Sequence, residues 1–448
     1  MTNNIVEQVK AAGVVGAGGA GFPTHVKINA KVDTIVVNGA ECEPLLYCDQ
    51  HLMAAHPDWV IEGTRLVMQA TGAERGLISV KRKYHEAIDA LTAQLKKENE
   101  KAITIHVIEK STYPAGDEQV LVYEATGRQV PAAGLPLDVG VVVQNVQTLA
   151  NIAHAVHENA PVTHRYLTLT GEVVEPKTVR LPIGTSFRDA LALAGGVRLP
   201  EDQYKVVVGG PMTGRVAKNL DETVTKTTSS LIVLPIDSRV VTDMSAPLDR
   251  WMLKGRANCD QCRDCTTLCP RFLLGHLDLQ PHEIMRAVPY GIEGPNKILE
   301  AAMLCCECRL CEAYACPLEL SPVSFYKQLK RELAAQGFRH PKITDFTPHP
   351  FREYRLVPTE RLVNRLGLMR YYRMHPVLDE SEFNPAKVVI ALKQHLGAPC
   401  VPAVKVGDKV AVGDVIGEIP EGKLGARVHA SIHGKVTEVT EQTITITA

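Results

Sequence analysis

The sequence lacks the features that would direct it to nucleic acid, to a membrane or out of the cell. Its charges balance, with 49 basic and 50 acidic residues, whereas nucleic-acid-binding proteins carry a basic surface. No apolar run reaches the roughly 18 residues that a membrane-spanning helix needs. The first residues, MTNNIVEQVKAAG, lack the basic segment and apolar core of a signal peptide. We therefore expect a cytoplasmic protein with no nucleic-acid partner and no membrane span.

Cysteine is plentiful but unevenly placed. Of twelve cysteines, nine lie between Cys259 and Cys316. Clustering of this kind in a cytoplasmic chain indicates metal ligation rather than disulfide bonds. The length of 448 residues predicts about three domains, or more if some are small.

Eight of these cysteines form two runs of one pattern. The first run, from Cys259 to Cys269-Pro270, is C-x2-C-x2-C-x3-C-P, which is typical of bacterial ferredoxins. The second run, from Cys305 to Cys316-Pro317, has one additional residue before its last cysteine, which predicts a local bulge. Zinc is the alternative, but closed zinc sites usually pair two C-x2-C units at longer separation.

In two-cluster ferredoxins the fourth cysteine of each run binds the other cluster. We therefore expect two [4Fe–4S] clusters, each with four thiolate ligands. The first set is Cys259, Cys262, Cys265 and Cys316, and the second is Cys305, Cys308, Cys311 and Cys269. Cys306, Cys48 and Cys400 are interpreted as packed thiols, whereas the role of Cys42 stays open.

Strand-like and helix-like segments alternate over the first 160 residues. Predicted strands at 34–40, 75–81, 102–109 and 139–144 favour a parallel α/β sheet. Polar residues follow three of these strands, and ligands of open α/β sheets bind beyond the carboxyl ends of strands. The residues are Asn38, Glu41 and Glu43, then Gly116, Asp117 and Glu118, then Gln144 and Asn145.

The stretch VVGAGGAGFPTHVK holds Gly16, Gly18 and Gly21 in the order G-x-G-x-x-G. A Rossmann dinucleotide turn joins a strand to a helix. Here a predicted helix over 4–12 precedes the glycines, and we expect a strand as the next regular element. Bare backbone still lets an anionic cofactor approach, with Lys27 as the counter-charge. An ordinary glycine-rich turn is the alternative.

Changes in residue composition and periodicity along the sequence predict five segments. The predicted boundaries are 1–162 for the α/β domain, 163–245 for a small α+β unit, 246–338 for the helical cysteine domain, 339–390 for an irregular connector and 391–448 for an all-β domain. The last segment looks like a biotinyl/lipoyl-type barrel-sandwich, and Lys423 stands where such carriers have a modified lysine. Its neighbours Gly422 and Leu424 differ from theirs, so a structural hairpin is expected. His51 resembles a corrinoid-binding histidine only in D-x-H, and an ordinary helix residue is expected.

Four motifs carry a family resemblance: GAGGAGFPTHVK, NGAECEP, GDEQVLV and QNVQTLANI. In this order they resemble the flavin-binding domain of the NADH-oxidising subunit of respiratory complex I and of the Rnf-complex C subunit. The resemblance covers residues 1 to about 240, including a β-grasp (SLBB) unit at 165–240. It implies a Rossmann-like parallel-sheet domain that binds FMN and NADH, in a multidomain α/β chain.

The resemblance also implies roles for particular residues. The residues expected to contact FMN are Gly16, Gly18, Lys27, Asn38 and Asn145. Glu41, in the NGAECEP motif with Asn38, is also expected to bind the cofactor. Glu43 and Glu118 are expected to face the nicotinamide nucleotide. The chain departs from complex I at three positions. Ala40 replaces an aspartate, Cys42 a glycine and Gln144 an asparagine.

Over its whole length and in its domain order, the chain resembles the cobalamin reductases of the bacterial propanediol-utilisation microcompartment. Rnf C subunits typically carry the barrel-sandwich at the N-terminus, whereas this chain carries it at the C-terminus. The resemblance implies electron flow from NADH through FMN and two [4Fe–4S] clusters to cobalamin, with cob(III)alamin reduced toward cob(I)alamin. It also implies an adenosyltransferase and shell proteins as partners, inside a microcompartment.

The cofactors carry the chemistry in such a protein, so no side chain is expected to be catalytic. Two other functions stay open. One is a peripheral NADH/ferredoxin electron-input subunit of a membrane Rnf-type complex. The other is a non-enzymatic iron–sulfur relay or scaffold.

Overall fold

A four-stranded parallel sheet organises the N-terminal domain in the computed structural model, which describes residues 2–448. The strands of this part are β1 (Thr34–Gly39), β2 (Arg75–Lys81), β3 (Ile103–Ile108), β4 (Thr112–Tyr113) and β5 (Val141–Asn145). The sheet order is β3-β2-β1-β5, and every neighbouring pair is parallel. The predicted parallel sheet is confirmed. The inner strand β1 reads TIVVNG because both faces of such a strand are covered.

Helices cover this sheet. They are α1 (Thr2–Ala11), α2 (Thr24–Lys27), α3 (Cys48–Ala55), α4 (Pro57–Thr71), α5 (His85–Lys97), α6 (Glu118–Thr126) and α7 (Val146–His157). The expectation that a strand follows the glycines directly is wrong, because the one-turn helix α2 comes first. Four residues are too few for a helical hydrophobic period to show in the sequence.

A six-stranded mixed sheet forms the second unit. Its own elements are β6 (His164–Gly171), β7 (Lys177–Pro182), α8 (Phe187–Leu193), β8 (Tyr204–Val208), β9 (Arg215–Val216), β10 (Ser230–Pro235) and α9 (Arg239–Ser245). Strands β10 and β6 are parallel, whereas β6–β7 and β10–β8 are antiparallel.

The cysteines lie in a helical unit. Its helices are α10 (Leu248–Asn258), α11 (Asp264–Thr267), α12 (Pro270–Leu273), α13 (Pro281–Ala287), α14 (Lys297–Glu300) and α15 (Pro322–Ala335). A π-helix spans Cys311–Ala315, and the Cys316 N–H donates to the Cys311 carbonyl five residues back. This π-turn accommodates the additional residue of the second run, so the predicted bulge is confirmed.

Residues 339–390, expected to be irregular, contain short regular elements. These are β11 (Val357–Pro358), α16 (Thr359–Arg365), α17 (Met369–Tyr372) and β12 (Val377–Asp379). Strand β11 pairs with β4, and β12 extends the mixed sheet beside β7. The segment therefore joins the first two units to each other. Strands of two or three residues show no readable alternation.

The C-terminal unit is all-β. Its strands are β13 (Lys387–Ala391), β14 (Val401–Pro402), β15 (Lys409–Val410), β16 (Val415–Glu418), β17 (Val428–His429), β18 (Gly434–Val439) and β19 (Thr443–Thr447). They form two sheets, ordered β13-β19-β18-β15 and β14-β16-β17. Buried residues of these strands belong to the same hydrophobic core as α1 and α4. No helix within residues 2–448 is both long and apolar enough to cross a membrane.

Lys226 joins three of these units. Its buried ammonium donates to the carbonyl oxygens of Gly13 at 2.7 Å and Arg427 at 2.6 Å. Its backbone N–H donates to Gln394 Oε1 at 2.8 Å. Burial lowers the pKa of Lys226 from 10.5 to about 7. The joint therefore holds an amine that loses its proton more readily than an exposed lysine.

This amine should make folding stability depend on pH. Between about pH 7 and 10.5 the unfolded chain holds a proton at Lys226 that the folded chain has lost, so its contribution to stability rises with pH by at most about 1.4 kcal/mol per pH unit. Lys226→Met should flatten the curve of unfolding free energy against pH in this window. Anaerobic urea unfolding from pH 7 to 9.5 measures the difference. The exposed Lys423→Met is the control, and equal curves for wild type and Lys226→Met would contradict the prediction.

Candidate functional site

A cavity of about 530 Å³ lies at the carboxyl ends of β1 and β5, between the parallel sheet, the mixed sheet and the second cysteine run. It is lined by most of the predicted cofactor-binding residues but not by Gly16, Lys27 or Glu118. Asp117 and Gln144 of the predicted strand-end clusters also lie outside the lining. Its main lining residues are Ala17–Ala20, Asn38, Glu41, Cys42, Glu43, Asp49, Gly116, Asn145, Arg165, Gly209, Gly210, Thr213, Cys306, Glu307 and Lys327.

The glycine loop forms one wall. A side chain at Gly18 would place its Cβ only 3.1 Å from Asn145 and would crowd that side chain at the edge of the cavity. Gly16 lies behind the wall, where its N–H donates to the Phe22 carbonyl at 2.9 Å. The Ala17 N–H donates to Thr148 Oγ1 on α7 at 2.9 Å. Gly18 therefore shapes the cavity directly, and Gly16 shapes the loop.

Two asparagines at strand ends fix the neighbouring backbone. Asn38 Nδ2 donates to the Gly116 carbonyl at 2.9 Å, and its Oδ1 accepts from the Ala40 N–H. Asn145 Oδ1 caps α7, and its Nδ2 donates to Asp49 Oδ2 at 2.8 Å. Both side chains thus hold the strand ends that ligands of such sheets approach.

Glu41 serves the structure from within the cavity wall. Its buried carboxylate accepts from the Asp49 N–H at 2.9 Å and from Cys48 Sγ at 3.3 Å. Burial raises the pKa of Glu41, and burial together with the nearby Glu41 charge raises the pKa of Asp49 to about 8. The buried Lys81 donates to the Glu41 carbonyl oxygen, and burial lowers the pKa of this lysine to about 8. Glu41 therefore orders the start of α3.

Glu43 reaches across to the mixed sheet. Its carboxylate accepts from the N–H groups of Met212 at 2.8 Å and Thr213 at 3.0 Å, and from Thr213 Oγ1 at 2.7 Å. A Cβ added to Gly210 would overlap this carboxylate, which explains the glycine there. Desolvation by the surrounding protein raises the pKa of Glu43. Both oxygens are therefore engaged by the 210–213 loop.

Lys27 and Glu118 lie apart from the cavity lining and bind each other. Lys27 Nζ is 2.7 Å from Glu118 Oε1, and the glutamate side chain is 46% exposed. The sequence predicts separate roles for them, one toward FMN and one toward the nicotinamide. The pairing shows that neither charge is free in this conformation.

Arg165 is the most deeply buried cation among the cavity residues that the sequence analysis missed. It is the second residue of β6, whose sequence is HRYLTLTG, and 96% of its surface is buried. It is the charged residue among otherwise buried apolar and threonine side chains. Its Nε donates to the Thr228 carbonyl at 2.7 Å and its Nη2 to the Ala17 carbonyl at 2.8 Å. A buried charge in a strand of this kind is the sign that could have identified it.

The two cysteine runs have the same local backbone. Residues two and four positions after the first cysteine have left-handed φ in both: Gln261 at 60° and Arg263 at 69°, then Glu307 at 59° and Arg309 at 60°. This conformation turns backbone N–H groups inward. The Glu307 N–H donates to Cys305 Sγ at 3.3 Å, as expected around a thiolate ligand.

The fold brings the fourth cysteine of each run to the other run. A small cavity is lined by Cys259, Cys262, Cys265 and Cys316 together, and Cys262 is exposed to solvent. Burial, followed by the charges of Cys316, Cys262 and Cys259, raises the pKa of Cys265. We call these four cysteines the distal set, because it is the other run that lines the larger cavity, through Cys306 and Glu307.

The other four cysteines form the proximal set: Cys305, Cys308, Cys311 and Cys269. Burial, followed by the charges of Cys305, Cys265 and Cys269, raises the pKa of Cys311. The Tyr113 hydroxyl donates to the Cys308 carbonyl at 2.9 Å, which fixes this loop against the parallel-sheet domain.

The interpretation of Cys306 as a packed thiol is corrected by the structure, because Cys306 is half-exposed and lines the cavity with Glu307. Its position next to Cys305 carries it there, since neighbouring residues of the loop point in different directions. Cys400 is buried as expected. Cys48 is buried too, although it touches the cavity lining. Cys42 also lines the cavity, and burial raises its pKa to about 12.

A buried ion pair links the cysteine unit to the parallel-sheet domain. Arg271 Nη2 lies 2.8 Å from Asp117 Oδ2, and both side chains are about nine-tenths buried. Arg271→Ala leaves a buried carboxylate without its partner, which should cost about 3–5 kcal/mol of unfolding free energy. Anaerobic urea unfolding measures this. Lys110→Ala, which breaks an exposed pair with Glu353, should change little and is the control. Equal losses from both variants would contradict the prediction.

Four family models match the chain in sequence. They are the Nuo51 FMN-binding domain over residues 9–154, the SLBB domain over 166–216, the 4Fe-4S dicluster domain over 258–321 and the RnfC barrel sandwich hybrid domain over 378–448. The expected multidomain architecture is confirmed, as are FMN and two [4Fe–4S] clusters as the cofactors.

Full-length relatives match as well. The chain is 46% identical to "Cobalamin reductase PduS" of Citrobacter freundii, over 99% of this chain and 96% of that protein. It is 45% identical to the protein of the same name in Salmonella typhimurium, with the same coverage. It is 38% identical to the C subunit of the Na(+)-translocating ferredoxin:NAD(+) oxidoreductase complex of Acetobacterium woodii, over 62% of this chain and 59% of that relative.

Proposed function

The chain belongs to the cobalamin reductase PduS family, and we propose from this that it oxidises NADH and reduces cob(III)alamin toward cob(I)alamin. Bound FMN supplies the exchange between the electron pair of a hydride and single electrons, and each bound [4Fe–4S] cluster carries one electron. The observation that carries the proposal is the cavity itself, because one wall is the glycine loop and another is the second cysteine run.

The residues around the cavity fit a flavin. Bare backbone at Gly18 and Gly116 leaves room that a Cβ would fill, at 3.1 Å from Asn145 and 2.9 Å from Cys42. We assign Gly18, Asn38 and Asn145 to the wall that binds FMN, with Gly16, Lys27 and Glu41 supporting it. Glu43 and Glu118 are assigned to the side that NADH approaches. Their present partners, the 210–213 loop and Lys27, then set how the nucleotide enters.

The cysteine sets are assigned to the two clusters, and their burial gives an order. The proximal set adjoins the cavity through Cys306 and Glu307, whereas the distal set reaches solvent at Cys262. Electrons would then pass from the cavity to the proximal set, from there to the distal set, and leave near Cys262. Thiolates of both loops hold the clusters, and inward N–H groups such as that of Glu307 stabilise their charge.

The location and the protein partners extend the proposal. We place the chain in the cytoplasm, within a microcompartment, next to an adenosyltransferase and shell proteins. Domain order and family membership support this. Co-purification of tagged chain with shell proteins from cells grown on propanediol tests it, and recovery with membrane subunits instead would overturn it.

Turnover by the isolated chain tests the activity. Purified anaerobically, it should oxidise NADH continuously, beyond the amount that reduces its own cofactors, only when cob(III)alamin is present. It should form two cob(II)alamin per NADH, since a hydride carries two electrons. Activity that appears only after membranes are added would instead indicate an Rnf-type input subunit. Absence of bound flavin in the purified chain would indicate an iron–sulfur scaffold.

A further inference from the structure

Arg165 has one unpaired donor in the wall of the cavity. Two of its three guanidinium nitrogens bind the Thr228 and Ala17 carbonyls, as described above. The third, Nη1, is buried and has no hydrogen-bond partner within residues 2–448. A buried guanidinium with an unused donor is costly unless a ligand engages it. Since the residue lines the cavity, that ligand would be inside it.

The surroundings of Arg165 favour an anion. Gly18, Gly19 and Ala20 are exposed toward the same cavity, and Thr227 and Ser229 line it beside them. Asp49 is the acidic group in the wall beside Arg165, and its carboxyl accepts from Asn145 Nδ2. Because its pKa is raised, Asp49 balances the positive charge of Arg165 only in part. The two hydrogen bonds to carbonyls hold the planar fork in place, so its remaining edge is pre-organised.

The other cation that lines the cavity is at its far side. Lys327, on α15, lines the cavity together with Cys306 and Glu307 of the second cysteine run. Electron transfer from the flavin to the proximal set requires the redox-active ring of the flavin to lie on that side of the cavity. The charged end of the flavin would then lie at the glycine loop, where Arg165 is. Lys27 is engaged by Glu118 outside the lining.

We infer that Arg165, from the second unit of the chain, binds the phosphate group of the flavin and so selects FMN over riboflavin. The inference rests on the proposed function, in which this cavity binds FMN. A charged hydrogen bond of this kind is the feature by which a guanidinium recognises phosphate. The SLBB unit thereby contributes a ligand to a site that the sequence places wholly in residues 1–162.

The test measures dissociation constants of FMN and of riboflavin by quenching of flavin fluorescence, on flavin-stripped full-length chain. Wild type should bind FMN on the order of 10- to 100-fold more tightly than riboflavin. Arg165→Gln should bring the ratio of the two constants close to one, chiefly by weakening FMN. Lys327→Gln, the matched control in the same cavity, should leave the ratio as in wild type.

Each outcome has one meaning. An unchanged ratio in Arg165→Gln, or a lost ratio in Lys327→Gln, would overturn the inference and leave the proposed function standing. If wild type binds neither flavin, the proposed function itself fails. Where Arg165→Gln does not fold, Arg165→Lys replaces it, because one ammonium cannot keep both carbonyls and a phosphate. Its ratio should fall between those two values, and a ratio equal to that of wild type would contradict the assignment.

Discussion

Cys308→Ala should leave the flavin reducible by NADH but should greatly slow cob(III)alamin reduction. Loss of a residue that only supports a metal ligand costs ~10- to 100-fold, so loss of the ligand itself should cost more. Cys308 belongs to the proximal set, whose loop forms a wall of the cavity through Cys306 and Glu307. Without this thiolate the first cluster on the path is lost, so electrons should remain at the flavin. Stopped-flow absorbance under anaerobic conditions follows flavin bleaching and corrinoid reduction separately.

Cys262→Ala is the matched variant, because Cys262 is the second cysteine of the first run as Cys308 is of the second. It lies in the distal set and is exposed. NADH should reduce both the flavin and the proximal cluster in this variant, while cob(III)alamin reduction is again lost. If Cys262→Ala blocks reduction of the proximal cluster and Cys308→Ala does not block reduction of the distal one, the order of the two sets is reversed.

Glu43→Ala should loosen the binding of FMN as well as the use of NADH. Glu43 accepts from the N–H groups of Met212 and Thr213 and from the Thr213 hydroxyl. Its removal leaves the N–H of the buried Met212 without an acceptor, at about 1–3 kcal/mol. The Met212 carbonyl accepts from Arg309 of the proximal loop at 3.3 Å. Movement of the 210–213 loop should therefore disturb both the cavity and the loop of the second cysteine run.

The controls separate this role from a direct contact with nicotinamide. Thr213→Val removes only the hydroxyl that donates to Glu43. The Thr213 N–H is exposed, so water can take the place of Glu43 there. The effect of Thr213→Val on flavin content and KM should therefore be small. Flavin content after gel filtration and KM for NADH are measured for each variant. A raised KM with full flavin content in Glu43→Ala would mean that Glu43 acts on NADH alone and that the loop does not depend on it.

Much of the fold was predictable because its signals are local. Alternating apolar strands and amphipathic helices predicted the parallel sheet. The additional residue before Cys316 predicted a local bulge, which the structure forms as a π-turn. The segment 339–390 was not predictable in this way. Its strands β11 and β12 gain their hydrogen bonds from β4 and β7, more than 190 residues away in sequence. Pairing over such distances leaves no local period.

The site shows the same division. Cysteine spacing indicates thiolate ligands, since it fixes which sulfurs one cluster can reach. The partners of the charged residues come from segments far away in sequence: the 210–213 loop for Glu43, Glu118 for Lys27, and the glycine loop for Arg165. A motif read along one segment cannot show a ligand that another segment contributes.

The most direct test of the relay is one anaerobic titration of the purified chain, followed by its visible spectrum. NADH should bleach both the flavin and the iron–sulfur absorbance, and cob(III)alamin added afterwards should restore both as cob(II)alamin forms. Bleaching by dithionite but not by NADH would contradict the account, because the cavity would then not accept hydride from this donor. The protein would be a relay fed by another reductant.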